Sequence, residues 1–288
     1  MRELSTAEVL ETARSRGFAP TKRLLTDWVS HGLLDQPRRR GLGRGRGTEV
    51  VWAEEQMNLL LVLLGKRKDV KRIAPLCNIP VWTWLWFGEQ FVPLRQARRA
   101  LETWTGAGER ADSWKQARSS ARELVSRFAD QRASRASREH LADLIARTAY
   151  GRPFDRHEVL AAFRRVFDPI GDRAEIGFPG FTFRPESYVF LIETRISALA
   201  GLRGQLFDDA AFLWAQRAYL ENRVEYSALV PRIAEHTETA GVFLRQTDAG
   251  VVLPPTLEDI VNHACADLLT LLGIHAHLGS RGAAVGGE

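Results

Sequence analysis

Residues 21–52 read TKRLLTDWVSHGLLDQPRRRGLGRGRGTEVVW, a short amphipathic segment followed by an Arg/Gly-rich one with no acidic side chain from Gln36 to Thr48. The first part predicts a helix. Thr21 is placed to cap its first turn, and Gly32 follows the last periodic residue, where a left-handed backbone favours glycine. Leu25, Trp28 and Val29 recur at i, i+3, i+4 with Leu24 at the margin of that face, which leaves Lys22, Arg23, Thr26, Asp27 and Ser30 outward. After Leu34 and Pro37 come Arg38, Arg39, Arg40, Arg44 and Arg46, spaced by Gly41, Gly43, Gly45 and Gly47, and then the apolar Val50, Val51 and Trp52. Glycine permits a sharp reversal and close approach to a phosphate, and arginine supplies a planar donor fork for phosphate oxygens or the narrow minor groove. The two readings are a hairpin that touches nucleic acid and a solvated Arg/Gly loop. A position directly behind a two-helix unit favours the hairpin.

That unit is completed upstream. Residues 5–16 open on the capping-box pattern Ser5-Thr6-Ala7-Glu8 and set Val9, Leu10 and Ala13 on one face. Gly17-Phe18-Ala19-Pro20 makes a tight joint. Helix, short turn and second helix form the helix-turn-helix arrangement, in which the first helix braces the second so that its N-terminal residues enter the major groove.

Residues 5 to about 79 resemble the winged helix-turn-helix domain of the MerR family of transcription regulators. The family's second helix reads approximately Arg-x-Leu-Arg-Tyr-Tyr, three residues, then Gly-Leu, before a basic wing and a second helical pair. Arg23 and Leu25 match the first Arg and Leu, Trp28 stands at the second aromatic, and Gly32-Leu33-Leu34 match the ending; residues 53–68 and 70–76 match the helical pair. Thr26 and Asp27 depart from the usual Arg-Tyr. The resemblance implies a homodimer on a palindromic DNA site.

Composition agrees with a polyanion partner. The first 150 residues carry 27 Lys+Arg against 17 Asp+Glu, and residues 151–288 carry 13 against 18, so the positive charge belongs to the first half. Cys77 and Cys265 are too few for a disulfide scaffold, and a reducing compartment is expected. The start shows no charged-then-apolar leader, and the longest apolar run, residues 59–64, is far too short to span a bilayer, so a soluble cytoplasmic protein is expected.

Residues 54–64 form an unusually apolar pattern that suggests a helix buried on most sides, followed by Lys66-Arg67-Lys68 and Lys71-Arg72, read as a solvated helix end. Trp82, Trp84 and Trp86 alternate as in a strand, while Ile79-Pro80 before them and the Leu94, Ala97, Leu101, Trp104 spacing after them suit a bent helical connector; both readings stand. Such a stripe serves a core or dimer seam more readily than a ligand pocket. Residues 105–108 offer a hinge. Residues 114–147 resume as helix, with an exposed or frayed portion at 129–138. Beyond Tyr150 helices are expected over 158–167, 186–200, 208–223, 227–240 and 256–272, with a long irregular connection containing Phe178, Phe181 and Phe183, a small hairpin within 242–253 and a disordered tail over 279–288. The expected division is a DNA-binding domain over 1–79, a helical connector with dimer contacts over 80–150 and a helical C-terminal domain over 151–278.

Chemistry is sparse in the second half. His263-x-Cys265 and His275-x-His277 follow no familiar zinc spacing, and residues 235–238 (Glu-His-Thr-Glu) read as a wet helix surface. The glycines of residues 41–47 follow a basic turn and not an apolar strand, so they are no dinucleotide fingerprint. No catalytic residue, cofactor or metal is therefore expected. The chain reads as a mainly α-helical, sequence-specific double-stranded DNA-binding transcription regulator. Lys22, Arg23, Thr26 and Ser30 would face bases and nearby phosphates, and Arg38, Arg39, Arg40, Arg44 and Arg46 would grip the backbone or minor groove. The C-terminal region would serve self-association or a small-molecule or protein effector. The alternatives are an excisionase-like architectural factor of a mobile element and, more weakly, an enzyme with a DNA-targeting N-terminal module.

Overall fold

The computed structural model describes residues 3–41, 47–106, 114–150, 153–171, 176–178, 181–183, 185–234, 245–246, 252–253 and 257–285. It is mainly helical, with a small three-stranded antiparallel sheet at the N-terminus. Two compact units divide it. One is Met1–Gly108 with Glu258–Asp267, the other Glu109–Leu257 with Leu268–Glu288.

The first unit opens with strand β1 (Glu3–Ser5), helix α1 (Thr6–Ser15) and helix α2 (Lys22–Ser30). The capping box is complete: the Glu8 backbone N–H donates to Ser5 Oγ at 3.2 Å and the Ser5 N–H donates to the Glu8 carboxylate at 2.7 Å. Val9, Leu10 and Ala13 are buried as their spacing requires. Thr21 Oγ1 accepts from Leu24 N–H at 3.1 Å to cap α2, and Gly32, at φ +72°, closes it: the N–H groups of Gly32 and Leu33 donate to Val29 and Trp28 carbonyls. Strands β2 (Arg38–Gly41) and β3 (Thr48–Ala53) pair antiparallel with Arg39 opposite Val50 and Arg40 opposite Glu49. On its other edge β3 pairs with β1, setting Leu4 against Trp52. Three residues are too few to show an alternation, so the sequence pattern does not announce β1; its partner lies 46 or more positions away, and the indole N–H of Trp52 ties the pair to α1 through Thr6 Oγ1 at 3.1 Å.

Helices α3 (Glu54–Lys66), α4 (Ile73–Leu76), α5 (Asn78–Phe87) and α6 (Leu94–Thr105) complete the local chain of this unit. Helix α3 is less buried than its composition suggests. Met57, Leu60, Leu63 and Leu64 face inward, but Val62 is 57% exposed, because 13 helical residues present a full circle while the neighbouring elements cover one side. The basic end is occupied locally: Arg67 Nη1 donates to Lys71 O at 3.1 Å, Lys71 Nζ to Lys68 O at 2.9 Å, and Lys66 pairs with Glu258 at 2.5 Å. The tryptophans resolve as helix. Trp84 is fully buried, and Trp82 meets Trp86 one turn on, edge to face at 6.2 Å. Residues 80–105, expected as the start of a connector, pack into this unit.

Helices α7 (Trp114–Phe128) and α8 (Arg135–Ala149) begin the second unit. The polar stretch between them is a built corner and not a frayed helix. Asp130 is buried, its N–H donates to Val166 O at 3.0 Å, its carboxylate accepts from the Arg132 N–H and Nε–H, and Ser134 caps α8. Helix α9 (Arg156–Phe167) follows, then β4 (Ile176–Phe178) and β5 (Phe181–Phe183), a short hairpin where an irregular connection was expected. Helices α10 (Pro185–Arg203) and α11 (Asp209–Ala234) come next; α11 runs through residues 224–226, where a break between two helices was expected. Strands β6 (Arg245–Gln246) and β7 (Val252–Leu253) pair as the expected small hairpin. The last helix, α12 (Leu257–Val285), extends into the segment expected as a disordered tail. Adding residues to an existing helix needs no new nucleus, which lets the Ala/Gly-rich end remain helical. Val125, Leu141, Ile145, Val159, Phe163, Val166 and Val189 form the core of this unit, and a Cβ at Gly273 would sit 2.2 Å from Thr194 O, so glycine allows α12 and α10 to meet backbone to backbone.

Candidate nucleic-acid interface

Helix α2 and the β2–β3 hairpin hold the residues selected from sequence. Helix α2 is fastened from within by Leu25 and Trp28, both essentially inaccessible to solvent, with Leu24 and Val29 half-buried beside them. Its C-terminal end is fastened again by groups the sequence reading missed. Gln96 Nε2 donates to Leu33 O at 3.0 Å, Gln56 Nε2 donates to Gln96 Oε1 at 2.9 Å, and Gln56 Oε1 accepts from Asp35 N–H at 2.8 Å. Both glutamines are buried, so this chain of bonds joins α3, α6 and the segment after α2 in a dry setting where an unmade bond is costly. Arg95 grips the Asp35 carboxylate through Nε at 3.0 Å and Nη2 at 2.5 Å, and Arg99 Nε donates to Ser30 O at 2.8 Å. A Cβ at Gly32 would lie 2.4 Å from the Ala100 backbone nitrogen, so α6 crosses where only glycine fits. A polar residue at helical spacing was the only available sign of Gln56 and Gln96, since burial depends on distant segments.

The outward face of α2 is as expected for Lys22, Arg23, Thr26 and Ser30, all exposed. Their chemistry is narrower than their types suggest. Thr26 Oγ1 donates to Lys22 O at 3.2 Å and Ser30 Oγ to Asp27 O at 2.7 Å, so a phosphate would receive either hydroxyl hydrogen only by displacing a bond to the helix backbone. His31 Nδ1 lies 2.8 Å from Asp27 O, 3.2 Å from Ser30 Oγ and 3.6 Å from the Asp27 carboxylate. Lys22 and Arg23 have no ion-pair partner among the described residues and lie at the helix N-terminal end.

On the hairpin, Arg38 and Arg39 are exposed and have no ion-pair partner among the described residues. Arg40 differs. Its guanidinium donates to Glu49 at 2.8 Å and to Glu3 at 3.4 Å, bridging all three strands. It serves the sheet first, and its expected grip on a phosphate competes with two carboxylates. Arg44 and Arg46 lie outside the described residues, as do residues 107–108 of the hinge and residues 235–238.

The perturbed ionisable groups stand elsewhere. Burial pushes the Cys77 thiol up to about 12 and the Cys265 thiol well above its ordinary value, so both stay protonated, while Arg122 beside Glu139 holds that carboxyl below the usual range. His275 packs on Trp214 at 5.1 Å and His277 on Phe190 at 5.6 Å. No group of three metal-ligating side chains assembles, and no helix is long and apolar enough to cross a membrane, among the described residues. What α2 and the hairpin offer is an anchored helix with donors at one end and acceptors along its middle, and, next in the chain, a strand whose Arg38 and Arg39 guanidinium groups have no ion-pair partner among the described residues. Comparison of the chain with protein-family models, with curated proteins and with solved structures finds no match.

Proposed function

We propose that this chain is a sequence-specific double-stranded DNA-binding transcription regulator of the winged helix-turn-helix kind, with α2 in the major groove and the β2–β3 hairpin as a wing on the backbone or minor groove. The observation that carries the reading is the anchorage of α2. Buried Leu25 and Trp28, the close crossing at Gly32 and the Gln56–Gln96 bonds hold its exposed face in one position, which a base-reading helix requires. The unpaired Arg38 and Arg39 on the adjacent strand supply the positioning charge. The resemblance to MerR-type regulators adds a homodimer on a palindromic site, with the helical second unit serving self-association or an effector. Selection and sequencing of genomic fragments bound by the purified chain tests the reading. Promoter fragments with paired half-sites support a regulator, attachment sites of a mobile element turn it into an excisionase-like factor, and no selective binding removes it. Replacing Arg44 and Arg46 by Ala should weaken binding to specific and random duplexes alike and flatten the salt dependence by roughly one unit of log slope per lost phosphate contact.

A further inference from the structure

We propose that Asp27 is a specificity-determining residue that accepts a hydrogen bond from the exocyclic amino group of cytosine in the major groove. The inference rests on the DNA-binding reading and deepens it. Arg23, Thr26, Asp27 and Ser30 stand at i, i+3, i+4 and i+7 of α2 and share its outward face, and all four are exposed. With the Thr26 and Ser30 hydroxyls turned to the Lys22 and Asp27 carbonyls, and Ser30 Oγ also 3.2 Å from His31 Nδ1, these two oxygens present lone pairs to an outside partner. The Asp27 carboxylate between them is an acceptor as well, with a side chain 49% exposed and Oδ1 3.6 Å from His31 Nδ1. The middle of α2 is therefore an acceptor surface, and its N-terminal turn, with Lys22 and Arg23, is a donor surface.

An acceptor surface facing a polyanion is repelled by phosphates, so its complement must be a base edge that carries a donor. In the major groove only cytosine and adenine present an amino group. Adenine sets its amino group between two acceptors, its own N7 and thymine O4, both of which oppose a carboxylate; the amino group of cytosine has guanine O6 on one side only and its own C5–H on the other. Arg23, one helical turn toward the N-terminus, has the fork that fits the two acceptors of guanine. Helix α2 thus favours a half-site in which guanine lies under Arg23 and cytosine under Asp27.

The test is selection from a randomised duplex library with the full chain, its Asp27→Asn variant and its Asp27→Ala variant, each checked for unchanged melting. The wild type should favour cytosine at one fixed position by roughly tenfold. Asp27→Asn, whose amide both donates and accepts, should move the preference at that position to adenine, and Asp27→Ala should erase it while the other positions keep theirs. The same base preference in all three proteins overturns the assignment, as does an equal rise in affinity for every sequence in both variants, which would make Asp27 a repeller of phosphate. A wild type that selects no duplex at all removes the DNA-binding reading itself, an outcome separate from an unchanged preference at this one position.

Discussion

Helix α2 and the β2–β3 hairpin lie next to each other in sequence and are held in opposite ways. The helix is fixed by buried groups: Leu25 and Trp28 on its inner face, Gly32 against α6, and a dry Gln56–Gln96 pair behind its end. The hairpin is fixed by strand register and by the exposed bridges from Arg40 to Glu3 and Glu49, with β3 alone turning Val51 and Trp52 into the core. Burial gives a position that tolerates little change. Surface pairing leaves arginines available to a partner and sensitive to salt.

The contrast breaks most visibly at Trp28. Trp28→Ala removes the largest fully buried side chain of α2 and should cost about 3–5 kcal/mol, so that the melting temperature falls sharply and DNA binding is lost through unfolding. A variant that melts like the parent would mean that the inner face of α2 is not what holds it. Gln96→Leu is the next largest change. It strands the Leu33 carbonyl and one N–H of Gln56 Nε2, whose amide keeps its bonds to Phe91 O and Asp35 N–H, at about 1–3 kcal/mol per stranded group, and a urea titration should show a lower midpoint with an unchanged slope.

The hairpin should respond weakly in stability. Arg40→Ala removes two exposed ion pairs and should cost about 0–1 kcal/mol, an effect that shrinks as salt is raised. A loss comparable with that of Gln96→Leu would make Arg40 a structural keystone. The smallest stability effect belongs to the double replacement of Arg38 and Arg39 by Ala, which should leave the thermal midpoint unchanged. Its effect should instead appear in duplex binding, as a salt dependence reduced by roughly one unit of log slope per lost phosphate contact. A changed melting curve with an unchanged salt slope would reverse the roles assigned to strand and helix.

Local signals were legible where neighbours in sequence create them. Ser5 and Glu8 announced the start of α1, Thr21 and Gly32 both ends of α2, and the run from Arg38 to Trp52 the hairpin. The tryptophans left the period open because Trp82, Trp84 and Trp86 alternate while the backbone is helical, with Trp84 buried and Trp82 and Trp86 half-exposed on another side. Alternation over so few residues cannot separate a strand from a helix surrounded by apolar contacts. The corner at Asp130 was hidden for a related reason: a polar, arginine-rich stretch reads as solvated until the Val166 carbonyl and Arg132 fix it in place. Residues 258–267 group with the first unit although they lie 150 or more positions beyond its other residues, joined through the Asn78 side chain to the Cys265 N–H and through Lys66 to Glu258. A chain cut at residue 150 would lose them.

By itself the sequence determined that α1, α2 and the β2–β3 hairpin form, which face of α2 is apolar and where the positive charge is concentrated, because helix caps, periodicity and charge density depend on residues a few positions apart. Tertiary structure alone decided that β1 joins the sheet and that Gln56 and Gln96 lock the end of α2. It also decided that Arg40 turns to carboxylates while Arg38 and Arg39 stay free, since each of these depends on groups brought together from separate parts of the chain.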